Sequence, residues 1–129
     1  MCKTIKQKVK FKAPPAAIYR LLTDAKQRST LTGKGAKIDN QVGGRFSVDA
    51  GYATGINVDL SPAKRVVQAW RCKGFPEGIY SMAAFVLSPT KDGGTELVLT
   101  HRGVPKEMIP RIEREWREHY WKRMKEFLE

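Results

Sequence analysis

The sequence predicts an α+β fold in which a curved antiparallel sheet wraps around a long C-terminal helix. Three observations carry this. Between Val104 and Glu129 the apolar residues Ile109, Ile112, Trp116, Tyr120, Met124 and Phe127 recur at intervals of three and four, with charged residues between them. That spacing is the period of one helical face. The preceding hundred residues alternate mostly with period two and are punctuated by Gly and Pro, as strands and tight turns are. An amphipathic helix with so heavy an aromatic stripe must also bury it against a broad apolar surface, and the sheet is the surface available.

Taken in order, Thr4 to Lys12 reads as a half-buried strand. Ile5, Gln7, Val9 and Phe11 face one way, and Lys6, Lys8, Lys10 and Lys12 face the other. The lysine comb is an anion-binding stripe or a solvated face that discourages edge pairing. Pro14-Pro15 ends the strand and suits a first helical turn, and Ile18, Leu21 and Leu22 then share one side of a short helix ending at Thr23. Asp24 is placed to cap a second short helix through Leu31. The two helices are expected to plug one end of the sheet.

From Lys34 the period is two. Ala36 and Ile38 lead to a turn at Val42-Gly43-Gly44; Phe46, Val48 and Ala50 form one face of the next strand. Ile56, Val58 and Leu60 alternate with Asn57 and Asp59 until Ser61-Pro62. Lys64 to Lys73 sets Val66, Gln68, Trp70 and Cys72 on one face, and Ile79 to Leu87 forms another strand. Lys91-Asp92-Gly93-Gly94 is a hairpin turn, and Thr95 to Arg102 places Leu97, Leu99 and His101 together. Pro110 is tolerable only in a first turn, so the long helix should begin near Glu107 or Met108. The order is β-α-α-β6-α, about seven strands in an antiparallel meander, and residues 1–129 read as one domain.

Composition bounds the function. The fractions of hydrophobic (41%) and charged (29%) residues are those of an ordinary folded domain. The longest apolar run, Met82 to Leu87, is too short to span a bilayer, and Lys3 to Lys12 carries no apolar run of a signal peptide. Cys2 and Cys72 have no paired or metal-ligand spacing, so two free thiols in the cytoplasm are expected. The net charge is +11, of which residues 105–129 contribute only +1, so the basic surface belongs to the sheet and its loops. That field favours acidic proteins, anionic lipid or nucleic acid. A recognition helix, or aromatic residues interleaved with the basic strand, is missing, so no specific nucleic acid is expected.

The ordered set Pro14-Pro15 through Tyr19, Leu22-Thr23-Asp24, Val42-Gly43-Gly44-Arg45-Phe46, Leu60-Ser61-Pro62 through Trp70-Arg71, Phe75-Pro76-Glu77-Gly78, Gly94-Thr95-Glu96-Leu97, Gly103-Val104-Pro105, Trp116 and Tyr120-Trp121 covers essentially the whole chain. It resembles the helix-grip fold of the START-like (SRPBCC) superfamily. Within that superfamily it is similar to the family named for the carboxy-terminal domain of the activator of heat-shock-protein-90 ATPase. The resemblance implies a cavity between sheet and helix. It also implies one of three roles, which are carriage of a small or lipid-like molecule, a co-chaperone-like interaction, or a cyclase- or hydrolase-like reaction. Nothing in the chain resembles the separate amino-terminal domain of the eukaryotic co-chaperone.

The candidate chemistry is sparse. There is no Gly-rich phosphate loop, metal-ligand cluster or nucleophile elbow, and no cofactor is expected. Parity turns Gln7 and Gln68 inward, where an unpaired amide costs roughly 1–3 kcal/mol, so each needs a partner in the protein, water or a ligand. A one-residue slip in register would instead turn them to solvent. His101 is the titratable residue placed on an inward face, either orienting a ligand or bonded to backbone within the core; His119 is expected to be exposed. Trp70, Phe85, Trp116 and Tyr120 form the wall of a pocket or a plain core. The small residues Ala36, Ala50, Ser81 and Ala83 would leave room there, and Tyr52 and Phe75 would rim an entrance. The preferred reading is non-enzymatic binding of a small hydrophobic or amphipathic molecule, with an acidic protein or chaperone as the alternative partner.

Overall fold

The computed structural model describes residues 4–128; Cys2 and Lys3 lie outside the described residues. Seven strands form one antiparallel sheet: β1 (Ile5–Phe11), β2 (Lys37–Ile38), β3 (Arg45–Val48), β4 (Ala53–Ser61), β5 (Arg65–Cys72), β6 (Ser81–Pro89) and β7 (Thr95–Arg102). Their spatial order is β1-β7-β6-β5-β4-β3-β2. Strands two to seven are therefore a meander, and β1 closes the far side by pairing Ile5 with His101 and Phe11 with Thr95. The expected element order and antiparallel topology are observed.

Two short helices, α1 (Pro15–Thr23) and α2 (Ala25–Thr32), carry the chain from the β1 edge to the β2 edge. Pro15 occupies the first turn of α1, and Ile18, Leu21 and Leu22 are buried beneath it. Asp24 accepts from the Gln27 amide at 2.9 Å and caps α2, while Gly33 closes α2 at φ 71°, a left-handed value that glycine adopts without strain. Helix α1 packs on β5 and β6, and α2 reaches β3 and the C-terminal helix.

The C-terminal helix opens with a 3-10 turn (Lys106–Met108) and then runs through α3 (Ile109–Glu115), a π-helical segment (Trp116–Trp121) and α4 (Lys122–Leu128). The π segment changes which face is buried. In a regular α-helix, residues five apart point about 140° away from each other. The wider i→i+5 turn instead stacks Trp116 on Trp121, with centroids 5.5 Å apart and planes 17° from parallel. Trp121 is thus buried along with Trp116, Tyr120 and Met124, and Phe127 is turned out, 44% exposed. The period of three and four put Phe127 on the buried face; the inserted residue of the π turn shifts the phase.

Strand β4 departs from parity as well. Ala53, Gly55 and Asn57 point inward, while Ile56 and Val58 are 38% and 44% exposed on the outer face. Packing and polarity explain the inversion. The Phe46 ring lies over Gly55, where an added Cβ would come within 2.7 Å of the ring and 1.8 Å of the Ala69 carbonyl. Asn57 is fully buried and donates to the Asp39 carbonyl at 3.1 Å. A bulge between Asn57 and Asp59 then resets the register, and Leu60 packs against the core. Ala50 is also displaced from its expected place. It lies past the end of β3, exposed, in a turn where Asp49 and Ala50 both take positive φ (54° and 56°).

Candidate functional site

Side chains of the sheet and of the helix meet in the space between them. Gln68 and Trp70 come from β5, Phe85 from β6, His101 from β7, and Trp116 and Tyr120 from the π segment. All six are buried. Trp70 meets the His101 ring edge-on at 4.9 Å and the Trp116 ring at 5.7 Å, and Phe85 meets Trp116 at 5.5 Å. Five of them, Gln68, Trp70, Phe85, Trp116 and Tyr120, border a void of about 20 Å³, lined also by Leu22, Arg28 and Phe46. That is room for one water molecule.

Both ring nitrogens of His101 are occupied. The Trp116 indole Nε1–H donates to Nδ1 at 3.1 Å, and Nε2 lies 2.7 Å from the Ser81 hydroxyl. Ser81 donates onward to the Trp70 carbonyl at 2.8 Å. With Nδ1 accepting and the hydroxyl proton committed, the chain is complete only for neutral imidazole protonated on Nε2. Burial pushes the pKa down to about 4. A ring so held is a structural strut between β7, β6 and the helix.

Both glutamines bond to protein groups. Gln7 donates to the Glu113 carbonyl at 3.0 Å and accepts from the Trp121 indole at 2.7 Å. Gln68 donates to the Asn57 side chain at 3.2 Å. Both point inward, as strand parity requires. Sequence reasoning passed over Asn57 because an alternating strand assigned it outward.

A second region opens at the end of the grip where α2, the β3–β4 turn and the helix meet. It holds a pocket of about 190 Å³ lined by Asp49, Tyr52, Glu115, His119, Tyr120 and Arg123, with Thr32 and Lys34 at its edge. Beneath it Arg28, 4% exposed, sits 4.2 Å over the Tyr120 ring and 3.7 Å from the Asp49 carboxylate. Tyr120 donates to Asp49 at 3.2 Å. Arg28 Nε and Asp49 Oδ1 are buried and make no hydrogen bond with protein groups. Burial, with Asp49 adding to it, holds the Tyr120 phenol well above its ordinary pKa. Tyr120 borders both this pocket and the inner void. In the sequence a helix arginine and a turn aspartate read as surface residues, and the consecutive positive φ values of Asp49 and Ala50 leave no mark in composition or period.

Tyr52 lines this pocket. Its hydroxyl donates to Glu115 at 2.6 Å and accepts from Arg111 at 2.8 Å, and Arg111 also reaches the Lys73 carbonyl at 2.6 Å. Burial raises the Tyr52 phenol and the neighbouring Cys72 thiol above their ordinary values. Phe75 is not a rim residue. It is 6% exposed and packs edge-on against Trp70 at 5.8 Å, because Arg71 binds the carbonyls of Phe75, Pro76 and Ile79 and folds the loop back onto the core. His119 is exposed and lines the pocket. Among the described residues no group of three or more His, Cys, Asp or Glu is placed to hold a metal ion, and no helix is long and apolar enough to cross a membrane.

A seven-stranded antiparallel sheet closed on a long C-terminal helix, with two short helices after the first strand, defines the helix-grip class. Within that class the chain belongs to the family described as Activator of Hsp90 ATPase homolog 1-like protein, whose model matches residues 12–129. It is 31% identical over 125 residues to the human activator of 90 kDa heat shock protein ATPase homolog 1, covering 97% of this chain and 36% of that protein. It is 27% identical over 123 residues to the homolog from Dictyostelium discoideum, covering 95% and 32%. The chain thus spans about a third of the length of these curated relatives. An HSP90 activator from Plasmodium falciparum superposes with a TM-score of 0.83 at 25% identity, covering 88% of this chain and 86% of that one. The Aha1 dimer from Colwellia psychrerythraea gives 0.84 at 20% identity over 98% and 96%, a likeness of fold.

Proposed function

We propose that this domain is a partner-binding module that engages a chaperone of the Hsp90 class from its surface. The observation that carries the reading is the filled interior. The void of about 20 Å³ between sheet and helix is too small for a hydrophobic ligand, and the inward amides and imidazole are occupied by protein groups. Family membership supplies the class of partner, since the curated relatives are named for activation of the 90 kDa heat-shock-protein ATPase. The basic charge suits an acidic partner surface, and the cytoplasm is the compartment the reading supposes. Titrating the chain into a full-length Hsp90-class chaperone with ATP tests it, by calorimetry for binding and by phosphate release for turnover. Saturable, salt-sensitive binding is expected; no binding at low salt would overturn the reading.

A second reading is binding of a small amphipathic molecule, with Gln7, Gln68, Trp70, Phe85, His101, Trp116 and Tyr120 as its walls. The observation in its favour is the pocket of about 190 Å³ at the mouth, which shares Tyr120 with the inner void. A rise in melting temperature with extracted small molecules, abolished by Trp116→Ala, is the result this reading requires.

A further inference from the structure

The outer face of the sheet carries an apolar strip where solvated residues are the rule. Ile56, Ala69 and Met82 lie side by side across β4, β5 and β6, and in the next rows Val67 pairs with Ala84, and Val86 with Val98. Ile56, Val58, Met82 and Val86 are each 38–44% exposed, so the strip is open along its length. It exists because β4 is inverted: Gly55 and Asn57 take the inward positions, and the two β-branched residues are left outside.

Both flanks of the strip are basic. On the β1 side Lys6, Lys8 and Lys10 face outward beside Thr100, Val98 and Glu96, and Arg102 adjoins Met82. On the other side Lys37 and Arg45 line a depression of about 430 Å³ together with Thr54, Ile56 and Tyr80, the last 52% exposed. Arg71 sits 5.7 Å from the Tyr80 ring. Against these cations the face sets Glu96, paired with Lys8 at 4.0 Å, and Asp59, paired with Arg65 at 2.7 Å. The charge excess is therefore positive on both sides of an apolar centre.

We infer that this outer face is the docking surface, and that its occupant is an acidic protein surface with apolar residues at its centre. The inference rests on the partner-binding reading above and adds which face is used and what chemistry meets it. A second copy of the chain is disfavoured as occupant, because two faces with cations on both flanks repel. Contact with the apolar strip excludes water, and the flanking cations steer and register the partner. Tyr80, aromatic and beside an arginine, has the chemistry of an anchor.

The test compares full-length Hsp90-class chaperone binding by the unaltered chain with three variants, each first checked for an unchanged melting temperature. Met82→Glu with Val86→Glu should weaken binding at least tenfold, and Lys37→Glu with Arg45→Glu should do the same and flatten the salt dependence. Arg117→Glu, on the exposed side of the C-terminal helix, should bind like the unaltered chain. Binding retained by both outer-face variants overturns the docking face and leaves the partner-binding reading standing. No binding by the unaltered chain overturns both. If single-stranded RNA competes for the same face more tightly than the chaperone does, the protein occupant is wrong.

Discussion

The Trp121 indole nitrogen donates to the Gln7 side-chain oxygen at 2.7 Å, joining the first strand to the last helix across 114 residues of sequence. The same glutamine donates back to the helix at the Glu113 carbonyl, so one amide commits both of its ends to the same neighbour. Gln7→Leu keeps the volume and leaves the indole N–H and the carbonyl without their partner. The expected loss is about 2 kcal/mol in urea denaturation. Trp121→Phe should cost less in the Gln7→Leu background than alone, with a coupling of at least about 0.5 kcal/mol. Additive losses would mean that the bond contributes nothing.

His101 makes stability depend on pH in a defined window. Its folded pKa of about 4 lies below the ordinary 6.5, so between those values the unfolded chain takes up a proton that the folded chain does not. The contribution is complete above about pH 6.5 and declines as pH falls toward 4, by about 1.4 kcal/mol per unit. The stability gap between the unaltered chain and His101→Phe should therefore narrow by about 2 kcal/mol between pH 7 and pH 5. A constant gap would show that the ring is not held neutral.

Arg28 is a buried cation whose nearest carboxylate is Asp49. Asp49→Ala leaves that charge in the core without its acid, and the expected cost is about 3 kcal/mol by chemical denaturation. Arg28→Met in the Asp49→Ala background should recover most of the loss, since an apolar side chain of similar length needs no counter-charge. Failure of that rescue would place the cost in the backbone of the turn instead.

Gly55→Ala should be among the most damaging small substitutions in the sheet, at about 3 kcal/mol, because the new methyl meets both the Phe46 ring and the Ala69 carbonyl. A tolerated alanine, seen as an unchanged melting temperature, would mean that β4 does not lie as close to β5 and Phe46 as described.

The fold was legible because period and punctuation agreed along most of the chain. β7 runs over the span its alternation marked, Asp24 caps the helix it was placed to cap, and Pro110 falls in the first turn. Two features hid from the same reasoning. A π turn inserts one residue into a helical phase and leaves no mark in composition, so Trp121 and Phe127 exchanged faces. On β4 the apolar residues lie outside and a glycine and an asparagine inside, because close approach of Phe46 and a buried amide network outweigh hydrophobicity at those positions. Trp70, Phe85, His101, Trp116 and Tyr120 pack ring against ring. How little space they would leave depends on side-chain packing, which no pattern of alternation encodes.

The central claim is that this domain acts from its surface while its interior is a filled core. Native mass spectrometry of the freshly purified chain under gentle desolvation tests that most directly. The expected mass is that of the polypeptide alone, unchanged by mild denaturation and refolding. A stoichiometric adduct of some hundreds of daltons, lost on denaturation and regained only when the released molecule is added back, would contradict it.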